Sequence, residues 1–337
     1  MNNKNYVKNY YQGIYLTETI LGNPNGDFLD NSPRNFDGIV FTTDKCIKYN
    51  IRKYIHDFKE NLDKKENIVF FFPRLIEDAK KDEAKFRTRG GVFKFLDPNT
   101  NFNELKNNSP DIRMFGGTFT FTNNDKDKNK DKIPSKQIYG PIQLSYGIDI
   151  NNAKIKKLQI GSPFANESGN QTSPGAEYVV DDAIISYDIT INPNNHDNLL
   201  LTQDLDLFKE SLWHGTNLRK STSKKTDSKL LMLIKFKNKN DSNNKVSAIN
   251  IGEIKELIEV NNKKERKLGS GIIELSCEKL KNKLEKYKDY IECIEVYYDK
   301  NEVNLCNFIN ETNNDDNNEI KVYHYDPVKL LHIKSEE

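Results

Sequence analysis

The chain alternates short apolar runs with long polar segments, and the spacing of its apolar positions predicts the helices and strands. Residues 11–21 mix alternating and continuous apolar positions, which predicts a buried strand. Residues 43–58 carry apolar side chains at helical spacing, with Thr43 or Asp44 as the N-cap, and predict a helix. The same reasoning predicts strands over 113–122, 140–150, 154–165, 183–192, 229–237 and 291–299, a helix over 202–215 that ends at Gly215, and a helix within 271–290.

This order of elements lacks the regular strand–helix alternation of a parallel sheet, so it predicts an α+β fold. A ferredoxin-like, RRM-type core with two sizeable insertions fits the order. Residues 59–110 have only short apolar runs and are expected to be an insertion with small strands and loops of its own. The segments 123–136 and 238–248 are rich in Asn, Asp and Lys and predict charged loops.

Composition limits the classes of protein to which the chain can belong. With 337 residues, of which 36% are hydrophobic, it can bury a large core and still carry long polar insertions. The net charge is only +1, so binding to a nucleic acid must come from local clusters. The four cysteines form no C-x-x-C pair, which favours a reduced protein over a disulfide framework or a zinc site. The N-terminal residues lack an apolar signal segment and the longest apolar runs are strand-sized, so we expect a cytoplasmic protein with no membrane contact.

The sequence contains no motif that requires catalysis. The phosphate-binding, dinucleotide-binding, serine-hydrolase and zinc-protease motifs do not occur. The five histidines are scattered, and the pairs His56-Asp57 and His196-Asp197 each lack a partner motif for a metal. We therefore expect no catalytic residue, no bound metal and no cofactor.

The positive charges, in contrast, are organised in clusters. On the helix predicted over 43–58, Lys45, Lys48 and Arg52 fall on one face opposite the apolar stripe, and His56 extends this face. The alternative for this face alone is an ordinary solvated surface. Three further clusters combine cations with glycines or hydroxyl side chains, as phosphate-binding loops do, and lie at 85–91, 213–225 (with Arg219, Lys220, Lys224 and Lys225) and 261–271.

Aromatic side chains accompany these clusters. Phe86, Phe93, Phe115 and Trp213 could stack on bases, although packing in the core is the commoner fate of such residues. The RNP1 motif of a base-reading RRM does not occur. If the protein binds a nucleic acid, we expect it to contact the sugar-phosphate backbone more than the bases.

A polar corner joins the first strand to the first helix. Asn23-Pro24-Asn25-Gly26 predicts a type I turn, with proline in the second place and glycine in the fourth. This turn would direct Asp27 and Arg34 outward beside the basic helix face. Asp27 and Asp37 are expected to orient Arg34 or to cap backbone groups, and a plain strand-to-helix connection is the alternative.

Three stretches of the chain together resemble one protein family. NPNGDFLDNSPRNFDG with TTDKCIKYNIRKYI resembles its N-terminal signature, DIRMFGGTFTF…YGPIQLSYGIDI its central strands, and AIISYDITIN…LFKESLWHGTNLRKSTSK its later strand, helix and loop. The family is the backbone subunit (Cas7) of type I CRISPR Cascade complexes in the RAMP superfamily, and the resemblance is greatest to subtypes I-B and I-C. It covers roughly residues 10–240 in matching order.

The resemblance implies an architecture and a set of partners. Residues 1–337 would form a single RRM-like palm with a finger-like insertion at 61–112 and a thumb-like β-hairpin at 161–182. Copies would stack head to tail along a CRISPR RNA and present it for pairing with a target DNA strand. Further partners would be the small cap subunit, the large subunit and the guide-processing endonuclease. Such subunits bind RNA and do not cut it, and the polar corner would seat RNA or a neighbouring subunit.

The residues expected to bind RNA come from the basic clusters and the resembling stretches. They are Asn25, Gly26, Arg34, Lys45, Lys48, Arg52, Arg87, Arg89, Phe115, Gly116, His214, Asn217, Arg219 and Lys220. One rival reading is an enzyme: an RNA-cleaving type III backbone subunit that uses Asp27, Asp30 or Asp37, or a guide-processing ribonuclease that uses His56. A second rival is a scaffold that binds only protein.

Overall fold

The computed structural model describes residues 5–76, 85–97, 102–120, 136–162, 173–195, 199–238, 249–263, 265–266, 268–309 and 319–331. Its strands are β1 (Tyr11–Gly22), β2 (Asn35–Phe36), β3 (Ile39–Thr42), β4 (Leu75–Ile76), β5 (Lys85–Phe86), β6 (Gly116–Phe119), β7 (Lys136–Tyr139), β8 (Ile142–Leu144), β9 (Gly147–Asp149), β10 (Ile155–Ser162), β11 (Ser173–Ile191), β12 (Thr226–Phe236), β13 (Glu259–Val260), β14 (Ile273–Ser276), β15 (Ile291–Tyr297), β16 (Val303–Cys306) and β17 (Val322–Tyr325). Its α-helices are α1 (Asp44–Phe58), α2 (Arg89–Leu96), α3 (Phe102–Asn108), α4 (Pro110–Phe115), α5 (Thr202–Leu218) and α6 (Glu278–Lys286), and short 3₁₀ helices lie at Ile254–Leu257, Lys288–Tyr290 and Pro327–Leu330.

One large sheet dominates the described residues. Its strand order is β17-β15-β12-β1-β11-β9-β3-β2, and β8 and β10 also pair with β11. β1 lies between β11 and β12 and is antiparallel to both, with Tyr15 opposite Tyr187 on one side and Leu231 on the other. Helices and a largely antiparallel sheet are mixed without regular alternation, which confirms the α+β class.

Both faces of β1 are buried, which explains its mixed apolar pattern. Tyr11 and Tyr15 point into a core that includes apolar residues of α1 and α5. Ile14 and Leu16 point into a second core, on the other face, that includes apolar residues of α6. A strand covered on both faces has no solvent side that would require alternation.

The insertion between α1 and β8 has a core of its own. Apolar residues from α2, α3, α4, β6 and β7 pack together there with Ile68 and Phe70. The range predicted for the finger, 61–112, includes most of this unit, although 77–84 and 98–101 lie outside the described residues. The range predicted for the thumb, 161–182, overlaps a hairpin in which β10 pairs with the first half of β11, from Ile155 opposite Val180 to Ser162 opposite Ser173; residues 163–172 lie outside the described part.

Several predicted elements differ from the structure for identifiable reasons. The strand predicted over 113–122 begins as helix α4, because Pro110 suits a first helical turn and the helix ends at Gly116, whose φ is +65°. The strand predicted over 140–150 is divided into β8 and β9 around Ser145, which bonds to Asp188 across the sheet. The segment 271–290 forms β14 before α6.

The helix predicted to end at Gly215 continues to Leu218. Gly215 lies inside α5, where a Cβ atom would be 2.6 Å from the carbonyl oxygen of Asn50 in α1. This glycine therefore permits two helices to approach closely, and the expectation that it terminates α5 was wrong. None of the described helices has the length and apolar character needed to cross a membrane.

Candidate nucleic-acid interface

The polar corner after β1 is fixed to the start of α1 by Asn25. The Asn25 Oδ1 atom accepts hydrogen bonds from the backbone N–H and the hydroxyl of Thr43, at 3.0 and 3.1 Å. The chain bends at Pro24 and Asn25, within the range predicted for the turn. A hydrogen-bonded turn follows at 27–31, where the N–H of Asn31 donates to the carbonyl of Asp27. The chain reverses around this second turn, and Gly26 pairs with Pro33 in an antiparallel bridge.

Arg34 lies in this corner and is paired. Its guanidinium is 3.1 Å from the Asp27 carboxylate and lies over the ring of Phe28, 5.5 Å from the centroid. The expectation that Asp27 orients Arg34 is confirmed. The ion pair neutralises part of the charge that Arg34 would offer to a phosphate.

Helix α5 carries Arg219 to the first half of α1. Arg219 Nη1 donates to Asn50 Oδ1 at 2.8 Å and lies 3.8 Å from Cys46 Sγ, while the guanidinium lies over the Tyr49 ring at 4.7 Å. The sequence reasoning did not identify Cys46, Tyr49 and Asn50, although their spacing places them on one face of the predicted helix. These contacts hold Arg219 in one orientation without neutralising it.

Lys224 reaches the same place from the loop between α5 and β12. Its Nζ atom donates to the carbonyl of Asn23 at 2.8 Å. Burial lowers the pKa of Lys224, and the charge of Arg219 lowers it further, so two cations share this site. Lys45, in the first turn of α1, is exposed.

We refer to Lys45, Arg219 and Lys224 as the basic corner. Within the described ranges, none of the three has a carboxylate at ion-pair distance. Cations gathered without counter-charges create a positive potential that favours an anion, and Arg and Lys are the usual ligands of phosphate. The basic corner is therefore suited to bind a phosphate backbone.

Lys48 and Arg52, the other two cations of the predicted helix face, have partners within the protein. Lys48 pairs with Asp44 at 3.0 Å, and Arg52 pairs with the buried Asp111 at 3.2 Å. Both cations lie over the ring of Phe115, at 5.4 and 5.5 Å from its centroid. Phe115 is itself buried, and its ring packs against the two cations, so it has no open face on which a base could stack. Of the helix face, only Lys45 remains open.

Arg87 and Arg89 lie in the insertion, at the start of α2. The Arg87 guanidinium lies over the Phe95 ring at 4.5 Å, and Arg89 is exposed. Thr88 caps α2 by accepting a hydrogen bond from the N–H of Gly91 at 3.1 Å. The two arginines are neighbours in sequence, and no contact in the described part of the chain joins either of them to the basic corner.

Gly116 and His214 have structural surroundings. A Cβ atom on Gly116 would lie 2.1 Å from the carbonyl oxygen of Ile138, so this glycine permits β6 and β7 to pair closely. His214 belongs to α5 and faces α1, where its ring centroid lies 6.4 Å from that of Tyr54. Burial lowers the pKa of His214.

Asn217 and Lys220 face β12. Asn217 Oδ1 accepts a hydrogen bond from the N–H of Ser228 at 2.7 Å, and Lys220 pairs with Asp227. Both residues fix the end of α5 to the next strand, close in sequence to Arg219 but with different partners.

The cluster predicted at 261–271 does not form a phosphate loop in its described part. The Arg266 side chain is 2% exposed and pairs with Glu18 and, at 3.6 Å, with Asp182. Lys229 pairs with Glu18 at 3.3 Å. Arg266 therefore anchors its segment to the sheet, because two carboxylates distant in sequence lie beneath it.

Comparisons with known proteins agree with the earlier resemblance at the level of family. A sequence model of the family described as CRISPR-associated protein Cas7 matches residues 9–318. No curated protein matches the chain. Solved structures with similarity include a chain of a "CRISPR RNA-guided surveillance complex, pre-nicking", at 11% identity over 95% of this chain and 98% of that chain, with a TM-score of 0.47. A chain of a "CRISPR RNA-guided surveillance complex" has 10% identity over 95% of this chain and 96% of that chain, also with a TM-score of 0.47.

The resemblance to subtypes I-B and I-C stays a prediction. The match to the family model extends from before β1 to after β16 and so includes the stretches on which the resemblance was based. The chain therefore belongs to the CRISPR-associated protein Cas7 family.

Proposed function

We propose that this chain binds CRISPR RNA as the backbone subunit of a type I CRISPR surveillance (Cascade) complex and holds the RNA for pairing with a target DNA strand. Membership of the Cas7 family supports the proposal. The observation that carries it is the basic corner, where Arg219 and Lys224 lie near each other at the helix that bears the exposed Lys45, and none of the three has a carboxylate partner among the described residues. Copies of the chain would line up along the RNA and meet the small, large and guide-processing subunits of the complex.

The strand order supports a ferredoxin-like, RRM-type palm. If β1, β9, β11 and β12 are taken as the four strands of such a core, their order in the sheet is fourth-first-third-second, with α1 and α5 as the two helices. The insertion with its own core would be the finger, and the β10–β11 hairpin would be the thumb. The basic corner lies where α1 begins and α5 ends, at one end of this helical layer.

The proposed contacts to RNA are contacts to phosphate. Arg219 uses one nitrogen on Asn50, so its other N–H groups remain for an anion, and its orientation is set in advance. Lys224 is held in a similar way on the carbonyl of Asn23. Such contacts fix a backbone without reading bases, and base pairing would then supply the sequence specificity. Arg87 and Arg89 of the insertion would supply separate contacts to the RNA, apart from the basic corner.

The experiment compares two variants that remove the same positive charge. Lys45→Gln, Arg219→Gln and Lys224→Gln together remove the basic corner, and Lys279→Gln, Lys281→Gln and Lys286→Gln together remove three lysines from the exposed face of α6. Binding of two single-stranded RNAs of unrelated sequence is measured over a range of salt concentrations. The first variant should bind both RNAs more weakly, and the slope of log affinity against log salt should fall by about 2, since each phosphate contact on a single strand contributes about 0.7. The α6 variant should bind as the wild type does. Equal binding by all three proteins at every salt concentration would refute the proposal.

The enzyme readings lead to a different outcome in a simple assay. Asp27 is engaged by Arg34, and among the described residues no group of three His, Cys, Asp or Glu side chains is placed to hold a metal ion. We propose that the chain binds RNA without cutting it. Incubation with RNA and a divalent metal should leave the RNA intact; cleavage that disappears in Asp30→Ala or Asp37→Ala would replace this proposal by the type III reading.

A further inference from the structure

A cleft of about 420 Å³ is lined by residues of β14, β16 and β17 and of the segments that flank them. Val303 and Phe308, which line it, belong to the core on the face of the large sheet that α6 covers. The cleft therefore lies on the opposite face of the sheet from α1 and α5, the helices that position the basic corner. Its volume falls in the range of about 300–1,000 Å³ that is usual for sites that bind small molecules.

Three aromatic rings line the cleft. The ring centroid of His324 lies 5.7 Å from that of Tyr298 and 6.2 Å from that of Phe308, with interplanar angles of 71° and 77°. Rings that meet edge to face present surfaces at a steep angle to one another, so a flat ligand that stacks on one ring meets the next ring with its edge. Nucleic-acid bases are flat and stack on aromatic side chains of every type. The rings therefore favour a planar aromatic ligand.

A carboxylate and an amide lie side by side at the cleft. Glu274 of β14 and Asn304 of β16 are opposite each other in the parallel strand pair, so their side chains share a face. The carboxylate accepts hydrogen bonds, and the amide both donates and accepts them. Adenine carries an amino donor beside a ring-nitrogen acceptor, whereas uracil, like thymine, has a carbonyl oxygen in place of the amino group. The pair therefore favours adenine over uracil.

Lys300 adds a positive charge to the lining of the cleft. It is exposed, and no carboxylate of the described residues lies at ion-pair distance from it. The neighbouring acids have other partners: Asp299 accepts a hydrogen bond from the side chain of Asn301 at 2.9 Å. Glu302 pairs with Lys229 at 2.9 Å. The ammonium group of Lys300 is therefore available for an anion, and phosphate is the anion that accompanies a base in a nucleotide.

We propose that this cleft binds an adenine nucleotide. The base lies against the three rings, its amino edge faces the Glu274–Asn304 pair, and its phosphate is bound by Lys300. A free nucleoside monophosphate and a nucleotide within a strand offer the same chemistry, and the experiment below distinguishes them. The inference does not rest on the proposed function, because the basic corner lies on the other face of the sheet and contributes no residue to the cleft.

The test measures binding of AMP by isothermal titration calorimetry. Lys300→Gln removes the contact to phosphate, and Tyr298→Leu removes one ring while keeping an apolar side chain. Lys281→Gln is the matched control, because it removes an exposed lysine from α6 that does not line the cleft. Circular dichroism establishes that each variant is folded, and Lys300→Gln changes an exposed side chain only.

The wild type and Lys281→Gln should bind AMP with the same affinity. Lys300→Gln should bind about tenfold more weakly, because it loses a charge-assisted hydrogen bond. Tyr298→Leu should also lose about tenfold, because stacking of a base on an aromatic ring contributes about that much. UMP should bind the wild type more weakly than AMP does.

Two further titrations locate the ligand and its source. The variant without the basic corner should bind AMP as the wild type does. In that variant, AMP is compared with the trinucleotide ApApA that lacks a terminal phosphate. Tighter binding of AMP would assign the cleft to a free nucleotide, and equal or tighter binding of ApApA would assign it to a nucleotide within a strand.

The inference is overturned if the wild type does not bind AMP, or if Lys300→Gln and Tyr298→Leu both bind it with wild-type affinity. Loss of AMP binding in the variant without the basic corner would place the nucleotide at that corner and would also overturn the inference. Equal binding of AMP and UMP would refute the role of Glu274 and Asn304. If AMP binds as described while the wild type binds no RNA, only the proposed function fails.

Discussion

Replacing Asp111 with alanine tests how the insertion is held against the helices. The Asp111 side chain is completely buried and accepts hydrogen bonds from the N–H groups of Phe70 and Phe71, at 3.0 and 3.1 Å, and from Arg52 at 3.2 Å. The change to alanine leaves two buried amides and one guanidinium without an acceptor. Each hydrogen bond to a charged group contributes about 1.5–3 kcal/mol. Because breaking a buried ion pair costs about 3–5 kcal/mol, we expect a loss of about 4 kcal/mol.

Hydrogen exchange followed by mass spectrometry measures this loss where it occurs. A local loss of about 4 kcal/mol makes the amides of Phe70 and Phe71 exchange about 1,000-fold faster. Peptides from β1, which lies in other cores, should exchange at the wild-type rate. Because the guanidinium no longer needs an acceptor, Asp111→Ala combined with Arg52→Ala should lose less than the sum of the two single changes.

Asp57→Ala is the control for Asp111→Ala. Asp57 also pairs with a cation, Lys53 at 2.7 Å, but the two side chains of that pair are 43% (Lys53) and 32% (Asp57) exposed to solvent. Such a surface pair contributes at most about 1 kcal/mol. If Asp111→Ala changes exchange at Phe70 and Phe71 no more than Asp57→Ala does, Asp111 is not an anchor, and Arg52 is available for phosphate as the sequence predicted.

Two further predictions concern the contact between α1 and α5. Gly215→Ala should lower the melting temperature, because the clash with the Asn50 carbonyl at 2.6 Å outweighs a gain of about 1 kcal/mol in helix propensity. The control is Gly161→Ala, where a Cβ atom meets nothing within 4 Å, and this change should leave the melting temperature as it is. If neither variant changes the melting temperature, the two helices can separate at no cost. Burial lowers the pKa of His214 below its ordinary 6.5, so the unfolded chain takes up a proton that the folded chain resists, and stability falls as the pH falls through that range. In urea titrations His214→Gln should lose less stability than the wild type between neutral and mildly acidic pH, and parallel losses would contradict this.

The local elements were largely predictable because their signals are local. The apolar stripe of α1 and the dense apolar runs of β12 and β15 lie within short windows, and the structure has these elements close to the predicted bounds. Glycine was the least reliable signal. Gly215 has the pattern of a helix end, but the approach of α1 decides its role, and the sequence of α5 does not contain that information.

The sequence by itself determined the α+β class, the family and the presence of scattered cations on a chain of nearly neutral charge. Only the tertiary structure decided which cations are free. Arg52 meets Asp111 across 59 positions and Arg266 meets Glu18 across 248, whereas Arg219 meets the amide of Asn50 and keeps its charge. The physical reason is that an ion pair depends on separation in space. The order of the strands and the packing of the helices set that separation, and charge patterns along the chain do not record it.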